Sequence, residues 1–268
     1  MQESTPLQNP AKPPRWGNYV KEFILIFLAI TLGFFVENYR EDLAEKDMVK
    51  GYMQELVGNL EYDTIRCQRN LDNNQIIFRG LDSLRKELKA AIEGKVNTNQ
   101  LYYLAFKYPG RFSRARFNNT AMSELKNSGS IRLIENKELV NHLGDYYQRK
   151  IFAAESYEPP STLTESMEAQ RQKLFSMRYL DRYLQAYEHI DEKRYDPDFN
   201  RQMFGDSSSI RLLTSDTQEL ETYLSMVTNF EIRLRYYCFW LDLNKKTAMD
   251  LISEINQEYR FTKRENAK

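Results

Sequence analysis

FILIFLAITLGFFV, the stretch from Phe23 to Val36, contains no charged or amide side chain, whereas every other segment of the chain is broken by such groups every few residues. A bilayer core is about 30 Å thick and needs roughly 20 helical residues. The strict apolar run is shorter than that, the length of a buried core helix or of a signal-peptide core. Its flanks extend it. Trp16 and Tyr19 precede it and Tyr39 follows, where interfacial aromatics sit on a spanning helix. Trp16 to Val36 covers about 31 Å at 1.5 Å per residue. Lys21 can snorkel to the headgroups, and Glu22 lies close to the interface. No small-x-small cleavage pattern precedes Glu37-Asn38-Tyr39-Arg40. We therefore expect an uncleaved single span whose first partner is the lipid bilayer, met through Trp16–Val36.

Around this span the chain divides into a Pro-rich tail (1–15), the transmembrane helix (16–38), a helical soluble domain (39–262) and a short C-terminal tail (263–268). The tail holds Pro6, Pro10, Pro13 and Pro14, a composition that does not fold. No further proline occurs until Pro109, so the span is expected to run straight into the next helix as a stiff stalk. Lys and Arg total 38, equal to Asp and Glu, so no global field steers the chain towards nucleic acid. Cys67 and Cys238 are too few for a disulfide scaffold; they could form one bridge in an oxidising compartment, but both fall on apolar helical stripes, which favours buried free thiols.

The body reads as all-α. Val49, Met53, Leu56, Leu60, Thr64, Cys67, Leu71, Asn74, Phe78, Leu81, Arg85, Leu88 and Ile92 recur at steps of three and four, the mark of one buried helix face. Gly94 and Asn97-Thr98-Asn99 end that helix. Near the C-terminus, Asp216 and Glu219 resemble a capping box. Leu220, Tyr223, Val227, Phe230, Leu234, Tyr237, Leu241, Asn244, Ala248, Leu251 and Ile255 then form a seam with one polar member. Such a seam packs antiparallel on the first long helix, or joins copies of the chain through Leu220–Ile255. Shorter elements are expected between: an apolar-aromatic segment from Leu101 to Tyr108, a helix from Thr120 to Lys126 closed by Gly129, and a short apolar run from Ile131 to Ile134. Asn136 should cap a helix reaching about Ser156, and a further helix is expected from Thr162 to about Glu188. Residues His189 to Ser209 read as a long loop.

The run Asn119-Thr-Ala-Met-Ser-Glu-Leu-Lys-Asn-Ser-Gly-Ser-Ile-Arg-Leu-Ile134, followed by Lys137-Glu138-Leu139 and Tyr146-Tyr147, is similar to the core of a domain-of-unknown-function family of bacterial single-pass, mostly helical membrane proteins. In that family a short tail precedes a span whose early turn carries a Glu and whose exit reads like Asn-x-x-Arg-Glu. Glu22 and Asn38-Tyr39-Arg40-Glu41 match that arrangement. The resemblance fades from about Pro159 onward, and the long Pro-rich tail departs from it. It implies a single-pass protein of the bacterial inner membrane with no assigned activity, so no catalytic residue carries over. Orientation is evenly poised, Lys12, Arg15 and Lys21 against Arg40, Lys46 and Lys50. The short tail favours a body on the periplasmic side.

A direct search for chemistry finds no phosphate loop, His-Glu-x-x-His, Cys-x-x-Cys or Gly-x-Ser-x-Gly. Glu138 and His142 stand one helical turn apart, but no further ligands follow at metal-site spacing. No cofactor or metal is implied. Two weaker features stand out. Glu138, His142, Asp145 and Tyr146 would have to converge in a cavity for the protein to be an enzyme or a small-ligand sensor. Lys107, Arg111, Arg114 and Arg116, interleaved with aromatics, could meet an anionic surface. The reading favoured by the whole sequence is a membrane-anchored, non-enzymatic interaction or structural module at the bacterial envelope.

Overall fold

The computed structural model describes residues 16–180 and 210–261 of the chain. The Pro-rich tail, the expected loop from His189 to Ser209, residues 181–188 of the expected fourth helix and residues 262–268 lie outside the described residues. Every element among the described residues is helical, with no strand. The chain divides into two units, Met1–Gly51 and Tyr52–Lys268.

Helix α1 (Trp16–Ile92) begins in the first unit. It is the one helix among the described residues long and apolar enough to cross a membrane, and none of its apolar window is buried by the chain. Phe23, Leu25, Leu32, Phe34, Phe35 and Val36 are all exposed. Thr31 donates its hydroxyl to the Phe27 carbonyl at 2.8 Å, which satisfies the only hydroxyl in the run on its own helix. Arg40 pairs with Glu37 directly after the apolar stretch.

In the second unit the predicted face of α1 is buried at Met53, Leu56, Leu60, Cys67, Asn74, Phe78, Leu81 and Leu88. Helix α1 stops at Ile92, followed by Gly94 at φ +75. Asn97 caps α2 (Thr98–Lys107) by accepting from the Gln100 N–H. The expected apolar-aromatic segment is thus a helix, buried continuously from Leu101 to Lys107, as an element apolar on all sides must be. Tyr102 meets Phe175 edge-on at 4.8 Å. Its hydroxyl accepts from the Ser176 N–H and donates to the Arg211 carbonyl. After α2 the Tyr108 ring lies flat against α1 at Gly80, where a Cβ would come within 2.3 Å of ring carbons.

Next come α3 (Thr120–Asn127), a 3₁₀ turn (Ser130–Leu133), α4 (Lys137–Gly144), a π turn (Asp145–Lys150), α5 (Ile151–Ser156), α6 (Ser161–Leu174), a second 3₁₀ turn (Met177–Leu180) and α7 (Thr217–Tyr259). Gly129 at φ +73 closes α3 as its sequence indicates. Asn136 caps α4 by accepting from the N–H groups of Glu138 and Leu139. The helix it starts does reach Ser156, but through a π turn. The fourth helix ends earlier than the sequence suggests, at Leu174 rather than near Glu188. Phe175 turns extended, and its ring is buried against Tyr102 and Tyr223. The freed Leu174 carbonyl accepts from the Leu213 N–H at 2.9 Å. Burial of one aromatic thus outweighs continuation of the helix.

All eleven seam residues of α7 are buried within the chain. Helices α4, α5 and α6 and the π turn pack on α7. Asp216 caps it by accepting from the Gln218 N–H. Glu219 does not complete a capping box. Its carboxylate accepts from Gln170 on α6 and lies 3.5 Å from the Lys173 ammonium, so a tertiary contact displaces the local one.

Candidate functional site

Tyr146 projects from the π turn into the interior and is fully buried, whereas Glu138 and His142 on α4 are exposed and Asp145 is half-buried. The four candidates therefore do not share a cavity. His142 pairs across helices with Glu254 of α7 at 2.9 Å, and that hydrogen bond raises its pKa. Asp145 faces Arg149 and Lys150 on its own turn. Among the described residues no group of three His, Cys, Asp or Glu could hold a metal.

The cation-rich segment is also divided. Lys107 is buried, donates to the Tyr103 hydroxyl at 2.6 Å and lies over the Tyr103 and Tyr108 rings. Arg111 is half-buried. Arg114 crosses the Phe112 ring and pairs with Glu158 at 3.2 Å, and Arg116 is exposed. Arg114 and Arg116 are thus the exposed pair, while Phe112 turns inward against Phe230 and Tyr237.

What holds this segment is a polar ladder on α1. Residues 109–119 form no helix, so their backbone groups need partners from elsewhere. Asn74 accepts from the Ser113 N–H at 2.7 Å and donates to the Ser113 carbonyl at 3.1 Å. Ser113 in turn donates its hydroxyl to Asn70. The Tyr237 hydroxyl of α7 accepts from the Ala115 N–H at 2.8 Å. Asp63, only 1% exposed, accepts from the Asn118 N–H at 2.9 Å and from the Tyr146 hydroxyl at 3.0 Å. Asn59 accepts from the Asn118 side chain. Asp63 thus joins three chain segments at one carboxyl. Burial pushes its pKa up to about 6, against the lowering effect of Asn118, Tyr146 and Arg66. Cys67 and Cys238 are free and buried, their thiols pushed up to about 12 and about 11 by burial. Neither is a thiolate at neutral pH, so neither is a nucleophile.

A second feature lies on the outside of α7. Tyr157, just past α5, lies over Tyr236 and Trp240 at 5.6 and 6.2 Å between ring centroids, with interplanar angles of 30° and 15°. Together with Ile232, Arg235 and Phe239 these rings line an open groove of about 540 Å³. The sequence reading missed it, although Ile232, Tyr236, Phe239 and Leu243 form a second stripe at helical spacing on the side of the helix away from the seam. The polar ladder was missed because Asp63 and Asn70 fall off the apolar steps.

No family model, curated protein or solved structure matches this chain.

Proposed function

We propose that the protein is a single-pass membrane protein whose helical body serves as an interaction module at the bacterial envelope. One observation carries this reading: the apolar window of α1 is bare, with none of it buried by the chain. A core helix of the same composition would be covered by its own fold. In water, exposed apolar surface costs about 25 cal/mol per Å², and the aromatic side chains alone each carry roughly 150–250 Å². Lipid removes that cost, and helical hydrogen bonding satisfies the backbone throughout the apolar run Phe23–Val36.

The body is read as a bundle in which α7 runs antiparallel to the second-unit part of α1. The pairs Gln68–Lys245, Phe78–Arg235 and Arg85–Glu231 support this, since one number rises as the other falls. Kinship with the bacterial single-pass family belongs to the same proposal. Its motif Asn119–Ile134 here makes α3 and the turn behind it. We place the body on the periplasmic side. A non-enzymatic role is part of the same proposal; among the described residues both thiols are buried and protonated, and the Asp63 carboxyl accepts bonds that hold the fold. The seam Leu220–Ile255 is occupied within the chain, so a protein partner would meet other surfaces.

Alkaline extraction of membranes combined with a periplasm-only reporter fused after Lys268 tests both parts. Retention in the pellet with an active reporter is expected. Release into the supernatant would overturn the anchor, and a silent reporter in the pellet would overturn the side.

A further inference from the structure

The outer face of α7 is furnished for contact. Ile232, Tyr236 and Phe239 are 48%, 54% and 60% exposed, with half-buried Trp240 and Leu243 beside them. Steps of four, three and four put Ile232, Tyr236, Phe239 and Leu243 on the side of α7 opposite the buried seam. Tyr, Trp, Phe and Arg are the residue types that dominate interface centres.

We propose that this face seats a second copy of the chain, pairing α7 with α7 about a two-fold axis near Phe239. Charge points to a copy, and area sets how strongly it would hold. Three cations at its margin have acidic partners within the chain, Arg235 with Glu231, Lys246 with Asp242 and Arg114 with Glu158, although Arg85 shares Glu231 and Lys245 shares Asp242. Such a face meets itself with little like-charge repulsion, and it offers little net field to a strongly acidic or basic partner. A two-fold contact buries the same patch on both copies, which an apolar stripe satisfies by symmetry. The exposed parts of these side chains amount to roughly 400 Å² per copy. Two copies together fall just short of the about 1,000 Å² that a stable interface clears. The pair is therefore weak in free solution and needs copies confined near one another. A shared bilayer supplies that confinement, so the proposal rests on the anchor reading.

The test uses the full chain in its own membranes, with Cys67→Ala and Cys238→Ala as background and Phe239→Cys or Tyr236→Cys as the probe. Mild oxidation is expected to give a band at twice the chain mass for both probes. Arg69→Cys, exposed on α1, should give none. Adding lipid to dilute the protein should lower the yield several-fold. Phe239→Lys should abolish cross-linking through Tyr236→Cys while leaving the helical circular dichroism unchanged. No doubled band from either probe, although both react with maleimide, would overturn the pairing. A cross-linked band at any other mass would also overturn it, in favour of a different partner. Alkaline extraction of the same samples reports separately on the anchor, so failure of the span and failure of the interface are told apart.

Discussion

Replacing Asp63 by Asn removes a buried titration and keeps the shape. The carboxyl is raised from 3.8 to about 6, because burial disfavours its charged form more than Asn118, Tyr146 and Arg66 favour it. The folded state therefore holds the proton more tightly than the unfolded chain. That contribution to stability is fully present below pH 3.8 and is lost as pH rises through about 6. A shift of about two units corresponds to about 3 kcal/mol. The stability of Asp63→Asn minus that of the wild type should then grow by about 2.5 kcal/mol between pH 4 and pH 7, or by about 5–10 °C in Tm for a body of this size. Thermal melts followed by circular dichroism in detergent across that range provide the reading. Asp63→Ala behaves differently. It leaves the Tyr146 hydroxyl and the Asn118 N–H without an acceptor, and it should lie about 2–4 kcal/mol below Asp63→Asn. A difference between Asn and wild type that stays constant from pH 4 to pH 7 would refute the reasoning.

Three further outcomes follow from the packing. Gly80→Ala gains about 1 kcal/mol of helix propensity. It should nevertheless lower stability by about 1–3 kcal/mol through overpacking, because its Cβ would meet the Tyr108 ring at 2.3 Å; an unchanged or raised Tm would contradict this. Asn74→Ala strips the partners of the Ser113 backbone N–H and carbonyl and should speed amide exchange across residues 109–119 more than elsewhere, which mass-spectrometric hydrogen exchange can resolve. Cys67 and Cys238 should resist maleimide at pH 7 in the folded chain and react rapidly once it is unfolded, with no disulfide found in either state.

How much of this was legible in the sequence depends on the kind of residue. The α7 seam could be read in full, because eleven positions at steps of three and four leave little choice about which side is buried. The caps at Asn136 and Asp216 and the closing Gly129 were also readable, since each is a local hydrogen bond or dihedral requirement; Asn97, read only as part of the stop after the first long helix, caps α2 instead. The end of α6 was not. Nothing near Phe175 breaks a helix; the helix ends because that ring fits against Tyr102 and Tyr223, which are distant in sequence. Glu219 was misread for a related reason, as Gln170 competes successfully for its carboxylate. Asp63 escaped notice because an acid between two apolar turns looks solvated until Asn118 and Tyr146 are seen to donate to it. The site candidates on α4 shared a helix face, but that face meets solvent and α7 rather than a cavity. The outer stripe of α7 is also visible in the sequence, but at four positions it is much shorter than the seam on the opposite side of the helix.

The central claim is that Trp16–Val36 crosses a bilayer with the body beyond it. Single cysteines placed at residues 12, 28 and 46 in the Cys67→Ala, Cys238→Ala background measure this in intact cells with a membrane-impermeant maleimide. Lys46→Cys should label from outside at once, Lys12→Cys only after the membrane is permeabilised, and Leu28→Cys only after detergent. Equal labelling at all three positions in unbroken cells, or at Leu28→Cys before detergent is added, would contradict the account.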